Sequence, residues 1–503
     1  MPPSTCWSVT ASLTLQWQVN ISALFQSSCA VATMAEVLSC ACAGISVSQL
    51  ASLFSLHRKL LISREERPSS MLKGAVDSLS SFFKAFSSLT INPSHLNILT
   101  ELPPNLKIML LQHSEDGSEL YGAFYEMTKT NQKGKTTQVT GTLACSKVAK
   151  VSVCPQALLA LRELTQTFGQ ETSYALYKEA GWHKAEGRLE VFEEHQIFDH
   201  KTSAEEMLAA RFREIVQDME DYLNPLLTQF DFSCLRPQDA SLPVPEMTKT
   251  KDKDEKGSSV KAPAEQGEYV VLLADQKLLE LPLEALSILH EEGVCSVSRD
   301  FSLQLLHSRL NRQEPEKGTD GTSLSVRMNE ILETHSQHST KLWEGFMGSK
   351  QTPSLFQMQQ LLLCRCSAFI YLGMEPFTAN IPPAKLAPMN LSECRMALLF
   401  DLVQNHASVH RQSNTDVYKS AEQLDLEKPL KTAMLLSMGG VGCVVLNQWH
   451  SSFHQNTHNM ASVLDNLLRA RHTSGQVIHA LRRKDSFSDT KSKGHRIRSS
   501  APR

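Results

Sequence analysis

The chain has no CxxC pair, no uninterrupted run of 18 apolar residues and no charged side chain in its first 35 positions. Each absence excludes something. Its twelve cysteines have no framework spacing, and Cys40-x-Cys42 and Cys364-x-Cys366 are too close to act as zinc-ligand pairs. Reduced thiols are therefore expected, with no metal and no cofactor. No membrane-length apolar stretch means no helical span is expected. The uncharged start lacks the basic n-region of a secretory leader, and Ser, Thr and Gln interrupt its apolar runs. A strong net charge is also missing. With 50 Lys and Arg against 53 Asp and Glu, the balance of -3 gives no reason to expect nucleic acid. The exception is local: residues 482–503 hold eight Lys or Arg against two Asp.

What is present is a globular composition, 41% hydrophobic and 20% charged over 503 residues, enough for one large domain or several smaller ones. Residues 1–101 are Ser-, Ala- and Leu-rich with weak helical periodicity and read as a loose, partly disordered helical lead-in. At Pro103-Pro104 the pattern changes. Leu106–Leu111, a Glu115-Asp116-Gly117-Ser118 turn and Leu120–Tyr125 read as a hairpin, because Asp-Gly supplies the positive backbone dihedrals a tight turn needs. A third strand is expected over Gln138–Cys145.

Pro155 opens a helix carrying Leu158, Leu161, Leu164 and Phe168, and a second helix over 204–223 has Leu208, Phe212, Ile215, Met219 and Leu223 on one stripe. Short, continuously apolar strands follow at 269–274, 294–297, 368–372, 396–400 and 443–446. Strands of this kind are buried on both faces, the habit of parallel sheets. Gly439-Gly440 ends a helix, and a last helix is expected over 454–471. Residues 236–267 and 312–324 read as solvated low-complexity insertions, and 476–503 as a basic disordered tail. Strand–helix alternation over 102–475 gives an α/β, three-layer sandwich with a mostly parallel sheet and an N-terminal antiparallel hairpin extension.

Two segments carry a family resemblance. Leu281-Pro282-Leu283-Glu284-Ala285-Leu286, followed by Ser296-Val297-Ser298-Arg299-Asp300-Phe301-Ser302-Leu303, and Gly439-Gly440-Val441-Gly442-Cys443-Val444-Val445-Leu446-Asn447-Gln448-Trp449, resemble the caspase-like CHAT domains, relatives of separase. Within that family the second segment is similar to the tetratricopeptide-bearing components of the central apparatus of motile cilia. No tetratricopeptide repeat is recognisable in this chain. The resemblance implies a caspase-like domain over about 102–470, and a place in the cytoskeleton of the ciliary axoneme. It also implies other central-apparatus proteins as partners, with microtubules reached through the basic tail, and neither membrane nor nucleic acid.

The resemblance further implies where a reaction centre would lie. Such a protease holds a histidine at the end of one strand and a thiolate at the end of its neighbour, within hydrogen-bond reach. Tyr371 and Gly373 match the turn that carries the histidine, but Met374 and Glu375 stand in place of His-Gly. A thioether takes up no proton near neutral pH. The second turn falls within 400–408, and no cysteine occurs between Arg395 and Gly442. No catalytic residue is therefore assigned.

Rescue candidates have bland readings beside the sharp ones. Cys394 and Cys443 precede or begin strands and read as packing. His406 and His410, and His450, His454 and His458, have the four-residue spacing of helical metal ligands, against a background of 18 histidines. Glu375 is a base without a nucleophile, and Trp449 reads as a core anchor. The expected function is structural, an assembly module on an inactive caspase-like domain. The alternative is a separase-like cysteine endopeptidase with an unrecognised nucleophile.

Overall fold

The computed structural model of the chain describes residues 26–37, scattered positions between 49 and 80, 106–129, 141–186, 194–236, 267–310, 354–357, 368–387, 389–468 and 472–491. The two expected insertions, apart from Arg236 and Gly267, lie outside these residues, as does the chain beyond 491. In chain order the main elements are helix 26–37 (α1), Leu106–His113 (β1), Glu119–Lys129 (β2), Gly141–Ser152 (β3), Pro155–Glu186 (α2) and Glu194–Leu227 (α3). Then come Glu268–Ala274 (β4), Val294–Asp300 (β5), Leu303–Leu310 (α4), Ala368–Leu372 (β6) and Met396–Phe400 (β7). The chain continues through His406–Asp416 (α5), Pro429–Met438 (α6), Cys443–Leu446 (β8), Phe453–Leu468 (α7) and Ser474–Lys491 (α8).

The strands form two sheets, ordered β3-β2-β1-β4-β5 and β6-β7-β8. Gly117, at φ 73°, makes the β1–β2 turn, the left-handed geometry its sequence calls for. β1 pairs antiparallel with β2 and parallel with β4. The first strand of the expected hairpin is thus the middle of the larger sheet, with β2 and β3 as its antiparallel extension. The third strand is described over Gly141–Ser152, reaching beyond the expected Cys145, and its expected first residues 138–140 lie outside the described residues.

All eight residues of β1 are buried, and the period of two sorts them. Met109 and Leu111 join a core with Leu161 and Phe168 of α2 and Ile215 and Met219 of α3. Ile108 and Leu110 join one with Leu303 and Leu306 of α4. In the all-parallel smaller sheet, Ala397 and Leu399 face Leu435 of α6, while Leu398 and Phe400 face Val463 of α7 and Val477 of α8. Helices therefore cover both faces of the parallel strands, and the fold is α/β.

Two described helices, 26–37 within the expected lead-in and 474–491 in the expected tail, are more tightly built than the sequence indicated. A 12-residue helix is marginal on its own in water. In α1, however, Ala30, Met34 and Val37 are fully buried in the core that includes Phe369 and Phe377. Gln26 Nε2 reaches Leu111 O at 3.3 Å and Leu273 O at 3.5 Å, at the carboxyl ends of β1 and β4. Burying Met34 and Val37 contributes ~1.5–3 kcal/mol each, so packing rather than propensity holds this helix.

The segment expected as a disordered tail opens with α8. Val477 and His479 are buried, and Arg482 donates to Val297 O at 3.3 Å. The composition of 476–503 is polar, but Val477, Ile478 and Leu481 fall on one helical face and pack with β6, β7, β8 and α7.

Candidate functional site

In parallel α/β folds the chemistry lies beyond the carboxyl ends of the strands, where backbone and loop groups converge. In the smaller sheet those ends are Gly373-Met374-Glu375 after β6, Asp401-Leu402-Val403 after β7 and Asn447-Gln448-Trp449 after β8. Gly373 N donates to Phe400 O at 3.3 Å, which keeps the first two turns side by side. The neighbouring strand ends that would house a histidine and a cysteine are thus adjacent.

At the first of them, Arg411 of α5 donates to Met374 Sδ at 3.6 Å and pairs with Glu375 at 3.2 Å. A guanidinium stays charged at any working pH, so it cannot shuttle a proton. Tyr371 is held by its neighbours: Asn380 Nδ2 donates to its hydroxyl at 2.7 Å, and the hydroxyl donates to Glu375 O at 3.0 Å. Burial, with Asp401 and Glu375 nearby, pushes the phenol above its ordinary range.

The second turn is clamped. Asp401 Oδ2 accepts from Phe377 N at 2.8 Å. Asn447 and Asn456 both donate through Nδ2 to Asp401 O, at 3.1 and 2.9 Å. Leu402 follows at φ 56°, the one positive-φ residue other than glycine among those described. A side chain in that region costs about 1 kcal/mol or more and persists where surrounding contacts over-determine it. The two amides supply that constraint. Burial raises the Asp401 carboxyl to about 6, against the smaller pull of the Phe377 amide. These ends therefore offer a thioether, a paired guanidinium, amides and a buried carboxyl. None is an activated nucleophile of the thiol or hydroxyl type.

The rescue candidates fall elsewhere. Cys394 is buried before β7, its thiol donating to Met396 O at 3.3 Å. Cys443 starts β8, 3.3 Å from Ser474 Oγ, and burial raises its pKa. Both lie at amino ends, a strand length of about 16 Å from the carboxyl ends. His406 and His410 share the exposed side of α5, with the His406 ring 4.1 Å from that of Tyr177. His450 precedes α7 and is half-buried, whereas His454 and His458 are on it and exposed. Among the described residues no group of three His, Cys, Asp or Glu side chains is placed to hold a metal.

The two sequence segments that carry the resemblance prove to be joints of the fold. Glu284 receives Arg299 through both carboxylate oxygens and Arg482 at 3.3 Å, while Arg299 also donates to Leu279 O and Leu281 O. Burial pushes the Glu284 carboxyl up, but the two guanidinium groups overrule it and hold it down at about 2. One carboxylate thus ties the β4–β5 connection, β5 and α8 together. Trp449 stands edge-on to Phe168 at 5.2 Å and Phe212 at 6.0 Å. Gly442 lies against Arg395 O, where a side chain would meet the carbonyl at 2.6 Å. The Gly-rich turn before β8 is a close backbone crossing.

Sequence reasoning missed a buried polar chain at the carboxyl ends of β1 and β4. His113 Nδ1 lies 2.6 Å from Asp275 Oδ2 and its Nε2 2.8 Å from the Tyr222 hydroxyl. Asp275 also caps the turn Gln276–Leu279 by accepting from Lys277 N and Leu278 N. Burial pushes this carboxyl up, yet the His113 imidazole, with the backbone amides of His113 and Leu278, leaves it below its usual value. His113 is 162 residues from Asp275 and 109 from Tyr222, and no local signal joins them.

No family model matches the chain. Among solved structures it is similar to a crystal structure of the Saccharomyces cerevisiae separase–securin complex, with a TM-score of 0.46 and 12% identity, covering 82% of this chain and 33% of that one. In sequence it is 34% identical over 116 residues to cilia- and flagella-associated protein 46 of Chlamydomonas reinhardtii. That match covers 23% of this chain and 4% of the algal protein, so the chain is similar in part to a protein of cilia and flagella and spans a small fraction of its length.

Proposed function

We propose that the chain is a structural component of motile cilia, an assembly module of the central apparatus built on a catalytically inactive caspase-like domain. The observation that carries this reading is the pairing of ciliary sequence similarity with strand ends that hold Met374, Asp401 and Leu402. A cysteine endopeptidase needs its thiol and base together. Losing both removes about 10⁶ in rate by analogy with deleted catalytic triads. Function then resides in surfaces that hold neighbours in register. Other axonemal proteins are the partners, and microtubules are reached by the basic residues beyond α8.

Two measurements test it. Tagged chain expressed in ciliated cells should concentrate along the axoneme, and disrupting its gene should remove density from the central-pair projections and alter beating. Purified chain should remain unlabelled by thiol-reactive peptide warheads. Labelling at Cys394 or Cys443, or cleavage of any peptide, would overturn the inactive assignment. Normal projections in cells lacking the chain would overturn the assembly role.

A further inference from the structure

Among the described residues, two of the strands that end a sheet, β5 and β8, open onto the same space. β5 is the last strand of the larger sheet and β8 of the smaller. A strand that turns a face to a cavity lines it with alternate residues; one that turns its edge lines it with consecutive ones. Residues 296–301 and 442–450 line one cavity, with no gap in either run. At their amino ends the two strands are bridged by the start of α8. Ser474 Oγ touches Cys443 Sγ, and Gly475 sits so close to Ser296 that any side chain would strike its hydroxyl.

The cavity encloses about 2770 Å³. Small-molecule sites occupy roughly 300–1,000 Å³, so this one has the dimensions of a polypeptide site. Its two walls differ. Val463 of α7 with Ile478 and Leu481 of α8 give an apolar wall, on the side of β8 that Val445 faces. The opposite wall carries Lys431 of α6, on the side that Val444 and Leu446 face. Lys431 is 8% exposed, and its ammonium donates to the Thr33 hydroxyl at 3.3 Å. Among the described residues no carboxylate pairs with it. A buried ammonium with a neutral partner keeps much of its desolvation cost, which an anionic group entering the cavity would offset. β8 adds a second sign of incompleteness: its sequence is Cys-Val-Val-Leu, yet none of the four residues is fully buried.

We propose that the gap between β5 and β8 is a docking slot for one extended peptide of another polypeptide, with apolar and acidic residues in alternation. The peptide adds a strand between the sheets, its apolar side chains against α7 and α8 and its acidic ones toward Lys431. Main-chain hydrogen bonds to the sheet edges supply affinity and the two unlike walls supply specificity. Arg482, bonded to Val297 O, is the β5-side contact the entering strand displaces. The slot rests on strand edges and charge, independently of the ciliary reading.

The test uses the full chain and a fluorescein-labelled heptapeptide of alternating Val and Glu, read by anisotropy. Saturable binding is expected, at least tenfold weaker when Glu is replaced by Lys or when a central Pro removes a backbone donor. Lys431→Met should weaken the Glu peptide about tenfold, with the melting temperature checked alongside. In the unaltered chain, bound peptide should slow amide exchange over 443–446 about tenfold. Absence of saturable binding, equal binding of the Glu and Lys peptides, or unchanged exchange in β8 would each overturn the proposal.

Discussion

Two buried carboxylates in this molecule have opposite fates. Glu284 lies between Arg299 and Arg482 and is held at about 2. Asp401 receives one backbone amide and is raised to about 6. Burial acts on both in the same direction; the difference is whether a cation arrives. Glu284 is a joint between elements, and its charge is neutralised by its partners. Asp401 ends the strand beside Met374, and its charge is a standing cost at neutral pH. The strand end beside Met374 carries this electrostatic cost, while the structural joint does not.

The largest way to break the contrast is Arg299→Ala. It removes two hydrogen bonds from a buried carboxylate and takes one donor each from Leu279 O and Leu281 O. We expect a loss of about 3–5 kcal/mol in urea unfolding. For the unaltered chain the sign follows from the lowered pKa. The contribution of Glu284 is present above about 4.5 and disappears as pH falls toward 2.

Trp449→Ala comes next. It empties the edge-on contacts with Phe168 and Phe212, and about 3 kcal/mol should be lost, as a fall in melting temperature.

Asp401→Asn sharpens the comparison by moving the other way. The folded carboxyl holds its proton up to about 6, whereas the unfolded one releases it near 3.8. The folded state therefore binds more protons in that window, and stability falls as pH rises through it. Asparagine retains an acceptor for Phe377 N without the charge. The variant should match the original chain below pH 3.8 and gain up to about 3 kcal/mol above pH 6. Equal differences at pH 3.5 and 7.5 would remove the electrostatic account.

The smallest effect is expected for Cys443→Ser, about 1 kcal/mol or less by thermal melt, because the thiol makes one weak contact with Ser474.

How much was legible differs between strands and joints. The apolar runs at 368–372, 396–400 and 443–446 coincide with β6, β7 and β8, since strands with an apolar core packed on each face write themselves as continuous hydrophobicity. The paired stripes of α2 and α3 were equally plain. The position of Met374 beside the end of β7 follows once those strands are placed in parallel. The Asp401 clamp was not legible, because Asn447 and Asn456 are 46 and 55 residues away from it and look like ordinary loop amides. Nor was α8, whose low apolar content hides the face that meets β5 and β8.

The sequence alone determined the buried strands, the amphipathic helices and the absence of a cysteine across 395–442, because periodicity and residue identity are local properties. Tertiary structure decided that β1 is central, that α1 and α8 belong to the domain, and that the two sheets end in edges facing one cavity. It also decided which buried carboxylate meets a cation. Those outcomes depend on contacts between residues tens to hundreds of positions apart, and burial converts them into charge states that no local pattern encodes.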